Sequence, residues 1–329
     1  MLYNLGMIRR RINALFNPEV YHGWGRTKSY FEGWYFKLVS KDRKNAFAFI
    51  PGIAMDENGK GHSFIQFLDG TNKTAEYFKF DQNDFKIQPY EFDLKIQKNE
   101  FSLNHLKIDI ENIQVDVKLS HQHPWPSQWY SPGIMGPFSF VPFMQCYHGI
   151  VSMDHELTGF ITIGDKKIDM TGGRGYMEKD WGSSFPSGYV WMQSNHFKEE
   201  RISLKSSVAR IPWLFSSFNG YIAGVLLYDR IIQFTTYNFT KLQKCNITSS
   251  GVHLIYENRQ HHLEIEAIRD EATTLIAPIK GFMEGRIEES MTAQINVQLK
   301  DKKNKTILLE DSGKNAGLEV AGDVEILMK

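Results

Sequence analysis

The feature that most limits what this chain can fold into is its periodicity. Short runs of aromatic and β-branched residues, at 30–39, 46–50, 63–68, 92–97, 113–119 and 149–163, are separated by Gly, Asn, Asp and Lys. Alternating side chains in runs of this length suit strands that turn one face to a core. The breaks Asp56-Glu57-Asn58-Gly59, Asp69-Gly70 and Gly164-Asp165 carry turn chemistry. The second half repeats the style at 189–195, 221–227, 231–237, 252–257, 262–267, 280–287 and 291–299. Such a meander predicts an all-β protein whose antiparallel sheets close into barrels.

A length of 329 residues exceeds one ordinary small domain and suits two linked units. Pro186 and Gly188 punctuate two strand runs, so the expected units are 17–186 and 187–329. Ahead of them, residues 1–16 carry Arg9-Arg10-Arg11 without a following apolar run of signal length. This segment reads as a short basic amphipathic helix, docked on the body or touching a membrane surface. Residues 121–142, rich in Pro, Trp, Gly and Ser, read as a linker or an ordered lid.

Composition narrows the function. Lys plus Arg and Asp plus Glu number 38 each, so no global field favours nucleic acid. Two cysteines, Cys146 and Cys245, make neither a disulfide framework nor a thiolate zinc site, and free thiols point to a reducing, cytoplasmic setting. No nucleophile elbow, phosphate loop, HExxH or dinucleotide fingerprint occurs, and neither a metal nor an organic cofactor is expected. His121-Gln122-His123 lies before Pro124 without an evident third ligand.

Reactive side chains are densest in Gly172-Gly173-Arg174-Gly175-Tyr176-Met177-Glu178-Lys179-Asp180-Trp181-Gly182 and in Trp191-Met192-Gln193-Ser194-Asn195. On a strand, Tyr176, Glu178 and Asp180 share one face, and Met177, Lys179 and Trp181 the other. The two carboxylates then stand about 6.6 Å apart along the backbone. Poorly hydrated, they do not both ionise cheaply, and one becomes a proton donor near neutral pH. The competing reading is a half-exposed pair balanced by Arg174 or Lys179. Trp191, Gln193 and Asn195 likewise share a face, as do Glu32 and Trp34, and as do His148, Ser152 and Asp154.

Three blocks, residues 17–37, 147–155 and 172–197, resemble the tocopherol cyclase family, with residues 277–299 a looser match. The run Tyr-x-Glu-Lys-Asp-Trp-Gly-x-x-Phe-Pro is the most specific. The resemblance implies two tandem lipocalin-like antiparallel β-barrels, related to carotenoid hydratases. In those relatives a Tyr-x-Asp-x-x-Trp-Gly stretch bears the acid; here Tyr176, Glu178 and Trp181 match it, with Glu in place of Asp, and either Glu178 or Asp180 is the donor.

What the resemblance implies chemically is cofactor-free protonation of a prenyl alkene, followed by phenol capture of the tertiary cation to close a chromanol ring. Glu178, Asp180, Tyr176 and His148 are then the catalytic candidates, with Tyr176 relaying a proton or orienting the acid and His148 as acceptor of the phenol proton. Glu32, Trp34, Asp154, Trp181, Trp191, Gln193 and Asn195 are the candidates for binding a lipophilic small molecule. A hydratase of an isoprenoid double bond and a non-catalytic carrier of an apolar ligand are the alternatives. Oligomeric state is not legible.

Overall fold

A computed structural model describes residues 2–328. After one helix, α1 (Leu2–Phe16), the long elements are all strands, and every ladder is antiparallel. The first sheet contains β1 (Tyr30–Val39), β2 (Ala46–Met55), β3 (Gly61–Asp69), β4 (Thr74–Asp81), β5 (Phe85–Ile87) and β6 (Asp93–Ile96). It continues through β7 (Asn99–Ser102), β8 (His105–Ile110), β9 (Ile113–Ser120), β10 (Cys146–Ile163), β11 (Lys166–Asp169) and β12 (Arg174–Gly182). Hydrogen bonds run in the order β4-β3-β2-β1-β12-β10-β9-β8-β7-β6-β5.

The second sheet contains β13 (Gly188–Ser194), β14 (Ile202–Trp213), β15 (Ser216–Leu227), β16 (Arg230–Thr235) and β17 (Lys241–Ile247). β18 (Gly251–Glu257), β19 (His261–Ile268), β20 (Thr273–Ile279), β21 (Phe282–Asp301) and β22 (Thr306–Gly322) complete it. Its order is β16-β15-β14-β13-β22-β21-β19-β18-β17, with β20 paired to β21. Closed barrels were the expectation, and the structure meets it only as far as two antiparallel sheets. Among the described residues no ladder joins β4 to β5 or β16 to β17, so each hydrogen-bonded path stays open.

The chain forms two compact units: Met1–Asp69, Thr74–Phe185 and Ile276–Gly285 in one, Gly70–Lys73, Pro186–Leu275 and Arg286–Lys329 in the other. The tip of the β20–β21 hairpin thus belongs with the first unit, although the expected units put it in the second. The stretch read as one strand, 280–287, in fact begins in that tip: Lys280 and Gly281 both take positive φ and turn the chain. Residues 121–142 lie inside the first unit, held by Tyr147 Oη donating to Val141 O (2.5 Å) and by exchange of backbone hydrogen bonds between His123 and Asp154 and Met153.

Burial along the first sheet shows where its site lies. β8 and β9 alternate buried and exposed residues, so one face meets water. β1, β2 and β3 are buried on both faces. One face carries the unit's core, including Trp34, Phe36, Leu38, Phe49, Phe67 and Met177. The other carries a smaller apolar cluster built on Phe31, Ala54 and Phe64. In the second unit, Val190, Met192, Leu204, Leu254, Ile265 and Ile295 belong to a separate core.

Candidate active site

β12 lies between β1 and β10, and its alternation sorts its chemistry onto two faces. Arg174, Tyr176, Glu178 and Asp180 lie on the face turned away from the core, while Met177, Lys179 and Trp181 pack into it. Register with β1 puts Lys37 opposite Tyr176, Tyr35 opposite Glu178 and Gly33 opposite Asp180. On the other side, Ile150 stands opposite Glu178 and His148 opposite Asp180, just before an irregularity that shifts the β10 register.

Four side chains form a row in which two hydrogen-bonded pairs, Tyr176–Glu178 and His148–Asp180, stand side by side. Tyr176 Oη donates to Glu178 Oε2 at 2.5 Å. His148 Nδ1 donates to Asp180 Oδ1 at 2.8 Å, while its Nε2 lies 3.4 Å from Glu178 Oε2. A carboxylate oxygen accepts, so the contact with Asp180 places a proton on His148 Nδ1 and leaves Nε2 turned to Glu178. Exposure differs along the row: the side chains of Glu178, His148 and Asp180 are 6%, 12% and 25% accessible. The row therefore leads from a buried carboxyl to one that meets solvent. Burial and the neighbouring Glu178 push the Tyr176 phenol well above its ordinary range, so it remains a donor.

An apolar wall adjoins this row. Phe31, Ala54 and Phe64 pack with Ile50, Tyr77, Phe185, Met283 and Cys146, and the Cys146 thiol reaches Asp180 Oδ1 at 3.9 Å. Burial, reinforced by Asp180 and Glu178, pushes that thiol well up and keeps it neutral. Gly52 lets the rings approach: a Cβ there would lie 2.4 Å from Phe64 Cζ and 2.6 Å from Glu32 O. The β20–β21 tip closes over the same face. Ile276 N donates to Gln66 Oε1 (2.9 Å), Gly281 N to Ser183 O (2.5 Å), and Phe282 packs edge-on to His62.

Behind Glu178, on the core face, a buried ion pair fixes β12. Lys179 Nζ is 2.6 Å from Glu32 Oε1, and both side chains are fully buried. Lys179 also donates to Val20 O and to His22 Nδ1 (2.7 Å), and lies over the Trp34 and Trp181 rings. Glu32 accepts from His22 N, Gly23 N and Tyr30 Oη. Burial works against the Glu32 charge, yet Lys179 and His22 hold its carboxyl below the usual range; burial lowers Lys179 to about 8 despite that partner. Burial and Lys179 also lower His22, which accepts from Lys179 at Nδ1 and donates from Nε2 to Ala14 O.

The structure thus brings Tyr176, His148, Glu178 and Asp180 together, and within the same unit it places Glu32, Trp34, Trp181 and Asp154 apart from them. Glu32, Trp34 and Trp181, expected to bind substrate, lie on the opposite face in the ion-pair network, where Trp181 stacks between His22 and Tyr147. Asp154 makes a two-pronged ion pair with Arg174, four residues from Glu178 or about 13 Å along the strand. Trp191, Gln193 and Asn195 belong to the second unit. There Trp191 and Gln193 alternate with the core residues Val190 and Met192, and Gln193 Nε2 donates to Asn195 Oδ1 at 3.5 Å.

Tyr35 and Lys37, both buried beside Tyr176 and Glu178, were missed. Their alternation with Trp34 and Phe36 was visible, but both faces of β1 are buried, and nothing local says which one meets the acid. His148, Glu178 and Asp180 also offer one nitrogen and two oxygens within 4.8 Å of one another. A divalent cation there would have to displace the Tyr176 and His148 hydrogen bonds that already engage these atoms.

Comparison with known proteins agrees with an antiparallel β fold. The probable chloroplastic tocopherol cyclase of Oryza sativa subsp. japonica is 22% identical, aligned over 95% of this chain and 80% of its own. The chloroplastic tocopherol cyclase of Zea mays is 20% identical over 92% and 77%. Among solved structures, a putative AttH from Nitrosomonas europaea has a TM-score of 0.53 at 12% identity, covering 93% of this chain and 95% of that one. CghA with Sch210972 has a TM-score of 0.55 at 9% identity, covering 89% and 88%. These two likenesses establish the fold alone. A family model described as tocopherol cyclase-like matches residues 107–322, which include the whole of β10 and β12 and so all four members of the row, Tyr176, Glu178, His148 and Asp180. Matched over more than half its length, the chain belongs to the tocopherol cyclase-like family.

Proposed function

We propose that the chain is an enzyme of isoprenoid chemistry that protonates a prenyl alkene of a hydroquinone and closes a chromanol ring, with Glu178 as the acid. The observation that carries this reading is the row Tyr176–Glu178–His148–Asp180 beside an apolar wall. An alkene is a very weak base, so its protonation needs a carboxylic acid kept neutral where water does not compete. Glu178 has the required burial, and Tyr176 fixes its orientation through Oε2.

The protons balance within the row. Glu178 gives its proton to the less substituted alkene carbon, and the cation forms on the tertiary carbon. The phenol oxygen of the substrate attacks that carbon, forming the C–O bond, and its proton passes to His148 Nε2 or directly to the Glu178 carboxylate. His148 then returns the proton to Glu178, with Asp180 holding the imidazolium. The faces of Phe31 and Phe64 give the cation an aromatic surface. Family likeness supports the reaction class, and the row supplies the atoms.

Incubation of the purified protein with a prenylated benzoquinol tests the proposal. The expected product is an isomer of unchanged mass. Gain of one water would reassign the protein as a hydratase, and tight binding without conversion would make it a carrier.

A further inference from the structure

We propose that α1 docks the protein on an anionic lipid surface through its outward face. The helix is two-sided. Met7, Arg10 and Ala14, at helical spacing, face the body: Met7 Sδ would lie 3.2 Å from a Cβ at Gly25, the Arg10 guanidinium lies 4.4 Å over Trp24, and Ala14 is buried. Ala14 O also accepts from the partly buried His22, which ties this face to the ion-pair network. At a rotation of about 100° per residue, Ile8 and Ile12 point nearly opposite. They are 54% and 57% exposed, whereas the outward face of a helix docked on a water-soluble body is ordinarily polar.

Charge identifies the occupant. Arg9 and Arg11 fall on either side of the isoleucine ridge, both exposed, although the Arg11 guanidinium also donates to Trp24 O at 3.4 Å on the body; the helix sequence contains no acidic residue. Arg9 lies over the half-exposed ring of Tyr90, which adds an aromatic residue of the kind that favours a membrane interface. With as many acidic as basic residues in the whole chain, the attraction is local to this patch. An apolar ridge flanked by arginines matches a surface of acyl chains beneath anionic headgroups. No helix among the described residues is long and apolar enough to cross a membrane, so the contact is one of lying on the surface. This inference stands on the helix alone and does not depend on the proposed reaction.

Co-sedimentation of the full-length protein with vesicles tests it, using phosphatidylcholine alone and phosphatidylcholine mixed with phosphatidylglycerol. Binding is expected to the mixed vesicles, weaker by about tenfold or more to phosphatidylcholine alone, and falling with added salt. Ile8→Ser/Ile12→Ser and Arg9→Gln/Arg11→Gln should each weaken binding by about tenfold while circular dichroism stays unchanged. Arg269→Gln, an exposed arginine in the other unit, controls for charge alone and should bind as wild type. Absence of wild-type binding, or equal binding by the isoleucine variant, would overturn the proposal. A concentration-dependent dimer abolished by the isoleucine substitutions, without vesicle binding, would give the face to a second copy of the chain instead.

Discussion

Substituting either half of the buried pair should unfold the protein unequally. In Glu32→Gln, the Lys179 ammonium keeps Val20 O and His22 Nδ1 as acceptors but loses its only counter-charge within 4 Å among the described residues. The new amide also sets an NH2 against a pocket of donors, His22 N, Gly23 N and Tyr30 Oη. Leaving a buried charge uncompensated costs about 3–5 kcal/mol. For a unit of this size that is a fall in Tm on the order of 10 °C. In Lys179→Met, the same three donors still serve the Glu32 carboxylate, and the methionine stem occupies the space between Trp34 and Trp181. Its cost should be smaller, about 2–3 kcal/mol.

The double variant Glu32→Gln/Lys179→Met should lose less than the two single losses added together, because the pair is gone as a unit. Scanning calorimetry or urea unfolding of the four proteins closes the cycle. There is also a pH signature. The folded Lys179 sits near 8, below its unfolded value of 10.5, so between those values the unfolded chain binds more protons and stability rises with pH. That contribution should vanish in Lys179→Met. Equal losses in the two single variants, or strict additivity, would refute the reasoning.

Gly52→Ala should cost about 1–3 kcal/mol by chemical denaturation, because its Cβ collides with the Phe64 ring and the Glu32 carbonyl. Gly281→Ala should destabilise the β20–β21 tip, since Gly281 has a φ of 83° and its Cβ would meet Met55 O at 2.3 Å; faster hydrogen exchange at residues 276–285 is the readout. Asp154→Asn, which leaves Arg174 with the more distant Glu156 as a counter-charge, should cost about 1–3 kcal/mol while leaving the KM for substrate unchanged. Tyr176→Phe should lower kcat about tenfold to a hundredfold with little effect on KM, as expected for a residue that orients the acid. Chelator treatment should leave turnover unchanged; loss restored by a divalent cation would assign His148, Glu178 and Asp180 to a metal.

Much of the strand pattern was legible because β9, β18 and β19 alternate apolar and polar residues against a single wet face. The Tyr176, Glu178 and Asp180 alternation was legible for the same geometric reason. β1 was legible as a strand over 30–39 but its two faces were not told apart, since Phe31, Tyr35 and Lys37 are as buried as Trp34 and Phe36, and period two says which residues share a face but not which face is which. Glu32 and Trp34 were therefore grouped with the acid although they lie behind it. β22 was missed because Asp311-Ser312-Gly313-Lys314-Asn315 reads as a loop, whereas neighbouring strands override that preference and the ladder absorbs it through irregular register. The return of residues 276–285 to the first unit is a long-range packing choice that no local pattern encodes.

If Glu178 puts a proton on carbon, turnover of a prenylated benzoquinol in D2O leaves its mark in the product. Mass spectrometry and NMR of the isolated chromanol should show a single non-exchangeable deuteron on the ring carbon next to the one that bears the new C–O bond. Glu178→Gln should lower its formation by about a hundred- to ten-thousand-fold, while Asp180→Asn retains measurable turnover. A product without carbon-bound deuterium, or Glu178→Gln turning over as fast as wild type, would rule out Glu178 as the acid.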